Sequence, residues 1–158
     1  KININVKTED IYIEGEKSLL VNNEIEMKSD GFIEVNNSNG KFKLNGPNSR
    51  LLGDNIDIKG SLIEGIFINI NNINEVQEMY VEDNSGVNIQ TETLNMFSQK
   101  AKYNKKEDII ELFDNVKIIR NNESVTGDYA KINTVNESYK VTSNDTKKVK
   151  IILNETAE

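Results

Sequence analysis

Apolar and polar residues alternate with a period of two from one end of the chain to the other. Ile2, Ile4 and Val6 are interleaved with Asn3 and Asn5, and Ile11 and Ile13 flank Tyr12. Phe32-Ile33-Glu34-Val35 leads to Phe42-Lys43-Leu44; later come Ile56-Asp57-Ile58, then Ile66, Ile68 and Ile70 around Phe67 and Asn69. Successive side chains of a strand point to opposite faces, so this alternation predicts strands with one buried face rather than amphipathic helices. Turn-forming clusters separate the runs: Asp30-Gly31, Asn39-Gly40, Asn45-Gly46-Pro47, Gly53-Asp54-Asn55, Asn84-Ser85-Gly86 and Asn121-Asn122. Asn-Gly pairs suit hairpin turns because both residues tolerate a positive φ. Two stretches, 75–81 and 92–100, fit a short helix as an alternative to a strand.

A longer period lies over the short one. A pair of β-branched or Met residues spaced i, i+2 returns at Ile25/Met27, Ile56/Ile58, Val87/Ile89, Val116/Ile118 and Val149/Ile151. The interval of about 30 residues is that of stacked supersecondary units. Surrounding residues repeat as well. Leu52-Gly53-Asp54-Asn55-Ile56-Asp57-Ile58 reads against Leu112-Phe113-Asp114-Asn115-Val116-Lys117-Ile118, and Ala101-Lys102-Tyr103-Asn104 against Ala130-Lys131-Ile132-Asn133. One unit cannot bury its apolar face alone, so the units must stack into one continuous domain over residues 1–158. The expected fold is all-β, a short solenoid of repeated strand pairs. If the sheet does not close, two edges remain, one at Ile2, Ile4 and Val6 and one at Val149, Ile151 and Leu153, each offering unpaired backbone groups to another chain. Parity with the repeated pairs puts Ile25, Met27, Ile56, Ile58, Val87, Ile89, Ile110, Leu112, Val116, Ile118, Val149 and Ile151 on the inner face.

Composition narrows the function. The 158 residues include 25 Asn and 21 Ile but 3 Ala, a balance that favours strands over helices. A net charge of −7 argues against a nucleic-acid or anionic-membrane binder. The absence of His and Cys removes the Ser-His and Cys-His nucleophile systems, the usual zinc ligand sets and any disulfide. No apolar run approaches the roughly 18 residues of a membrane span, and a targeting or membrane segment is expected to lie outside these residues. A carboxylate-only enzyme needs two acids converging on one cleft with separated pKa values. Asp54/Asp57 and Asp108/Glu111 are the closest candidates, but acids alternating with apolar residues ordinarily solvate an outer face. Asp83-Asn84-Ser85-Gly86 lacks the acidic ladder of a calcium loop, and Gly127 in a strand-like run reads as a bulge or turn. The expectation is no catalytic residue, no metal and no cofactor. Eight aromatics, Tyr80, Tyr103, Tyr129, Tyr139, Phe42, Phe67, Phe97 and Phe113, read as ordinary core or cross-strand residues. A sheet folded on itself without closing, with apolar residues along its inner face, makes a trough. Such a trough holds acyl chains by area burial alone, at roughly 0.8 kcal/mol per CH₂.

The C-terminal half carries a further signature. Ala101-Lys102-Tyr103, then Ile110 through Ile118, then Val125-Thr126-Gly127-Asp128-Tyr129-Ala130-Lys131-Ile132 and Tyr139-Lys140-Val141 together resemble the OstA-like repeat of the lipopolysaccharide-transport bridge family of LptA and LptC. In that repeat a strand ending in leucine meets a G-N-V turn and then G-D-x-A-x-Y; here Phe113-Asp114 stands in place of the Gly and Ile132 in place of the final Tyr. Ser143 through Ile151 is similar to the closing stretch of the same family, so the resemblance covers residues 87–153. It implies a twisted, half-open β-jellyroll whose interior cradles the lipid A acyl chains of lipopolysaccharide. It also implies end-to-end pairing with homologous β-jellyroll domains through edge strands, self-association included, in a periplasmic protein that is soluble or anchored to the inner membrane. The family supplies no catalytic residue. The competing expectation is a structural or adhesive β-solenoid with a closed core and no lipid.

Overall fold

The computed structural model describes residues 1–22, 25–53, 55–71, 73–144 and 148–153, and among them the regular structure is strand throughout. Five short strands come first: β1 (Ile2–Asn5), β2 (Asp10–Glu14), β3 (Ser18–Asn22), β4 (Ile25–Ser29) and β5 (Phe32–Asn36). Six long ones follow: β6 (Lys41–Leu52), β7 (Asp57–Ile70), β8 (Ile73–Gln90), β9 (Asn95–Asn104), β10 (Ile109–Arg120) and β11 (Glu123–Asn133). Two short strands, β12 (Tyr139–Thr142) and β13 (Lys150–Leu153), are the last among the described residues. The helix alternative at 75–81 falls inside β8, and that at 92–100 falls on the β8–β9 turn and the first half of β9.

The long strands are bent, and the bends build two facing halves from one sheet. Register breaks between Asn45 and Ser49, Lys59 and Leu62, Glu82 and Val87, and Phe113 and Lys117 line up across β6 to β10 as a crease. On one side the strand order is β1-β2-β5-β6-β7-β8-β9-β10-β11-β12. On the other, β3 and β4 lie beside β6, and β13 lies beside β11. Every pairing is antiparallel.

The crease explains a difference from the sequence expectation. Asn45-Gly46-Pro47 and Asn84-Ser85-Gly86, which read as turns between strands, lie inside β6 and β8. Gly46 and Gly86 have φ of 140° and 124°, and Asp114 and Asn115 in β10 have φ of 64° and 54°. A bulge that redirects a strand needs the same positive-φ residues as a hairpin turn. The chemistry was legible; whether the chain reverses or merely bends was not. Asn39-Gly40 and Asn121-Asn122 do form hairpin turns. The aligned contexts separate in the same way. Ala101 and Ala130 share one cross-strand row through Leu112, and Tyr103 and Ile132 share the next through Ile110. By contrast Leu52 ends β6 and Asp57 opens β7, whereas Leu112 and Ile118 lie in one strand on either side of the crease, so these two contexts are not structural equivalents.

Apolar rows run perpendicular to the strands. In the first half one row reads Ile2, Ile13, Ile33, Leu44, Ile63, Val81, Ala101, Leu112, Ala130, Val141. The next reads Ile4, Ile11, Val35, Phe42, Gly65, Met79, Tyr103, Ile110, Ile132, Tyr139. Its Gly65 leaves room for the Phe42 ring, whose Cζ lies 2.8 Å from where a Cβ would stand. In the second half the row is Leu20, Met27, Leu51, Ile58, Ile89, Met96, Ile118, Val125, Ile151. The second member of every repeated pair falls on this single row, so the 30-residue period is one excursion of two strands into the first half and back, β7 with β8 and β9 with β10 in the middle of the chain. Rows from both halves meet in one core. At the end of β7 the buried position is the one between the isoleucines. Phe67 follows Ile63 and Gly65 at the same parity and turns inward to stack on Phe42 at 6.3 Å, leaving Ile68 and Ile70 exposed.

Candidate functional site

The site is the trough between the two halves. Its floor is buried: Ile58, Val87, Ile89, Leu112, Val116 and Ile118 are at most 2% exposed, and Met27 and Ile110 are nearly so. Opposite the crease the halves part into a mouth. Ile25, Leu51, Ile56 and Ile58 on one side face Ile70, Ile73, Val76 and Met79 on the other, across a cleft of about 740 Å³. That volume lies in the range of sites that hold a small ligand, about 300–1,000 Å³. Ile25 and Ile56 are half-buried there rather than sealed.

Two of the expected inner-face residues stand apart. Ile151 pairs with Val125 and so shares the inner face, but it is 60% exposed. Val149 precedes β13 and is also exposed. The exposure has a simple cause: among the described residues β13 is an outermost strand, and neither a further strand nor the facing half covers these side chains. Parity fixes the face a side chain points to; it does not fix what lies over it.

The free edges number four among the described residues. In the first half they are β1 and β12; in the second, β3 and β13. Ile2 and Ile4 lie on β1, and Val6 just beyond it; all three are exposed, as are Ile151 and Leu153 on β13. The edges at β3 and β12 were missed in the sequence, although Tyr139-Lys140-Val141 has the alternation that marks one.

The candidate acids among the described residues are engaged with neighbouring groups. Asp57 takes two bonds from Arg50, Nε at 2.7 Å and Nη2 at 2.9 Å, with Lys59 at 3.6 Å behind. Burial alone would raise the Asp57 carboxyl, but these partners outweigh it and hold the group below its ordinary 3.8. Asp54 lies outside the described residues. Asp108 sits in the β9–β10 turn, its carbonyl accepting from Thr134 N at 2.8 Å, and Glu111 accepts from the Tyr129 hydroxyl. Asp83 accepts from Ser85 N at 2.7 Å within the crease. Among the described residues no cluster of three or more acids is poised for a metal. A larger cleft, about 870 Å³, lies on the outer face of the first half, but charged residues line it, with Lys43 paired to Glu64 at 3.3 Å. Tyr80, also on that face, donates to Glu82 at 2.7 Å; the bond and then burial push its hydroxyl up to about 12. The mouth cleft, continuous with the core rows, is the more apolar of the two, with Asn55, Asn71, Asn74, Glu75 and Lys105 also at its rim.

A family model described as LptA/(LptD N-terminal domain) LPS transport protein matches residues 48–138, more than half of the chain. The match begins well before residue 87, so the first half of the long-strand region shares the pattern. The fold is similar to the crystal structure of LptH from Pseudomonas aeruginosa, which is described as the LptA-homologous periplasmic component of the lipopolysaccharide transport device. The TM-score is 0.68 at 10% sequence identity, over 83% of this chain and 95% of that one. No protein of curated function matches the sequence significantly.

Proposed function

The chain belongs to the LptA/LptD N-terminal domain family of lipopolysaccharide-transport proteins, and from that premise we propose that it carries the acyl chains of lipopolysaccharide along its trough in the periplasm. The observation that carries this reading is the apolar cleft at the mouth, continuous with core rows that run the length of the sheet. An amphiphile laid there desolvates its chains at roughly 0.8 kcal/mol per CH₂ while its polar part stays in water. No reaction chemistry is required, and the engaged acids support none.

The bridge function requires domains in series, and parity supports one register for it. Along the first half the strands alternate in direction, so β1 of a second domain placed beside β12 runs antiparallel to it. The two strands are four residues each. Val141 then stands beside Ile2 and Tyr139 beside Ile4, and both apolar rows continue from one domain into the next. In the second half, with one strand fewer, β13 and a following β3 run parallel, the less stable pairing. Pairing is therefore assigned to β12 and β1.

The test is photo-crosslinking of lipopolysaccharide to a probe at the mouth, at Ile56 or Ile73, with the exposed Lys117 as control. Ile58 and Val116 are too deeply buried to take a probe without disturbing the fold. Crosslinks at the mouth and none at Lys117 are expected. None at either mouth position, in folded protein, would overturn the reading in favour of a closed structural core.

A further inference from the structure

The mouth is not uniform along its length. Beside the β7–β8 turn it gapes, with Ile70 and Ile73 exposed. Near the other end the β11–β12 loop, 134–138, crosses it, and Glu137 is the residue that reaches the opposite half. Its carboxylate accepts from Thr93 and, at 3.5 Å, from Thr91, both in the β8–β9 turn. Its main-chain carbonyl accepts from Arg120 Nη2 at 2.5 Å, at the end of β10. Glu137 does this with φ of 54°, a conformation that an L residue keeps only where its surroundings hold it.

Arg120 is the less satisfied partner. Among the described residues its Nε is buried without a hydrogen-bond partner, and its Nη2 lies 3.9 Å from the Glu137 carboxylate, too far for a hydrogen bond. The guanidinium sits over the Tyr139 ring at 5.4 Å, and the side chain is 34% exposed. A planar fork of five donors has been given one short bond, to a neutral carbonyl. Its strongest partner is an oxyanion taken by two donors at once.

We propose that Arg120 is the anion site of the trough: it takes the phosphate-bearing head group of an amphiphile whose chains lie on the apolar rows, and Glu137 is the internal anion that the head group displaces. The inference rests on the lipid-carrying reading and adds to it the group that recognises charge. Displacing Glu137 frees the β11–β12 loop from Thr91 and Thr93, so the mouth opens at this end as the ligand arrives.

Binding is measured on the whole chain by displacement of a neutral apolar fluorophore, with lipid A, dephosphorylated lipid A and inorganic phosphate as probes. Wild type should bind the phosphorylated lipid at least tenfold more tightly than the dephosphorylated one, the scale of a hydrogen bond to a charged group. Arg120→Gln should abolish that preference and leave the dephosphorylated lipid unaffected. Glu137→Gln, which removes the competing charge, should strengthen binding of the phosphorylated lipid alone and guards against misfolding of the Arg120 variant. An unchanged preference in both variants would overturn the assignment while leaving lipid carriage intact. Binding of inorganic phosphate as tight as that of the lipid, lost in Arg120→Gln, would overturn it in favour of a free-ion site. Failure of both lipids to bind would overturn the lipid-carrying reading and this inference with it.

Discussion

Substituting Ile2 and Ile4 together by lysine tests the pairing of β1 with the β12 of a second domain. In the single chain these side chains are 67% and 66% exposed, so their loss removes little burial and the monomer should melt near the wild-type temperature. In the paired state each continues an apolar row. Full burial of an isoleucine contributes roughly 1.5–3 kcal/mol, so covering the exposed two-thirds contributes about 1–2 kcal/mol per residue. Together they account for about 2–4 kcal/mol, more than a tenfold change in association. Inward lysines on an edge strand add a desolvation cost in the same direction. A ladder of two four-residue strands must also offset an association cost of about 4–15 kcal/mol, so wild-type self-association should be weak. Sedimentation velocity over a series reaching about 1 mM, where the association free energy is about −4 kcal/mol, is the assay. Wild type should shift to larger species with concentration, and the double variant should remain a monomer. Leu19→Lys with Val21→Lys, on the β3 edge, should associate as wild type does. A double β1 variant that associates like wild type, or a wild type that never associates, would refute the register argument.

Other consequences follow from the core and the charges. Leu112→Ala, at a position with no exposure between Ala101 and Ala130 in a ten-strand row, should destabilise by about 2–5 kcal/mol in denaturant unfolding, whereas Ile151→Ala should cost under about 1 kcal/mol. Equal costs would mean that the rows are not the core. Because the Asp57 carboxyl is held below its unfolded value of 3.8, it contributes stability above that pH and loses it as pH falls through the lowered value. An acid titration of stability should therefore be shallower in Asp57→Asn than in wild type. Tyr80 and Tyr129 are both pushed up to about 12 against an ordinary 10.0. The folded state thus holds these protons more tightly, and that contribution is lost as pH rises from 10 through 12; ultraviolet titration of Tyr80→Phe and Tyr129→Phe should each remove one late-titrating tyrosine.

Alternation and phase were decided by the sequence alone. With a side-chain period of two, Ile33, Leu44, Ile63 and Leu112 have one face to choose, and the 30-residue return of Met27, Ile58, Ile89, Ile118 and Ile151 already placed them on one row. The expectation of no catalytic residue came from the sequence as well, because no His or Cys is present and the acids are scattered. Tertiary structure decided the rest. Asn-Gly and Asp-Asn steps supply positive φ whether the chain reverses or bends, so only the neighbouring strands determine that Gly46, Gly86 and Asn115 mark a crease rather than hairpin turns. That crease creates two halves, hence a mouth, and a mouth brings together residues far apart in the chain: Ile25 with Ile73, and Thr93 and Arg120 with Glu137. No local pattern encodes such distant meetings, because they depend on how far the strands extend beyond the bend and on which loop is long enough to cross.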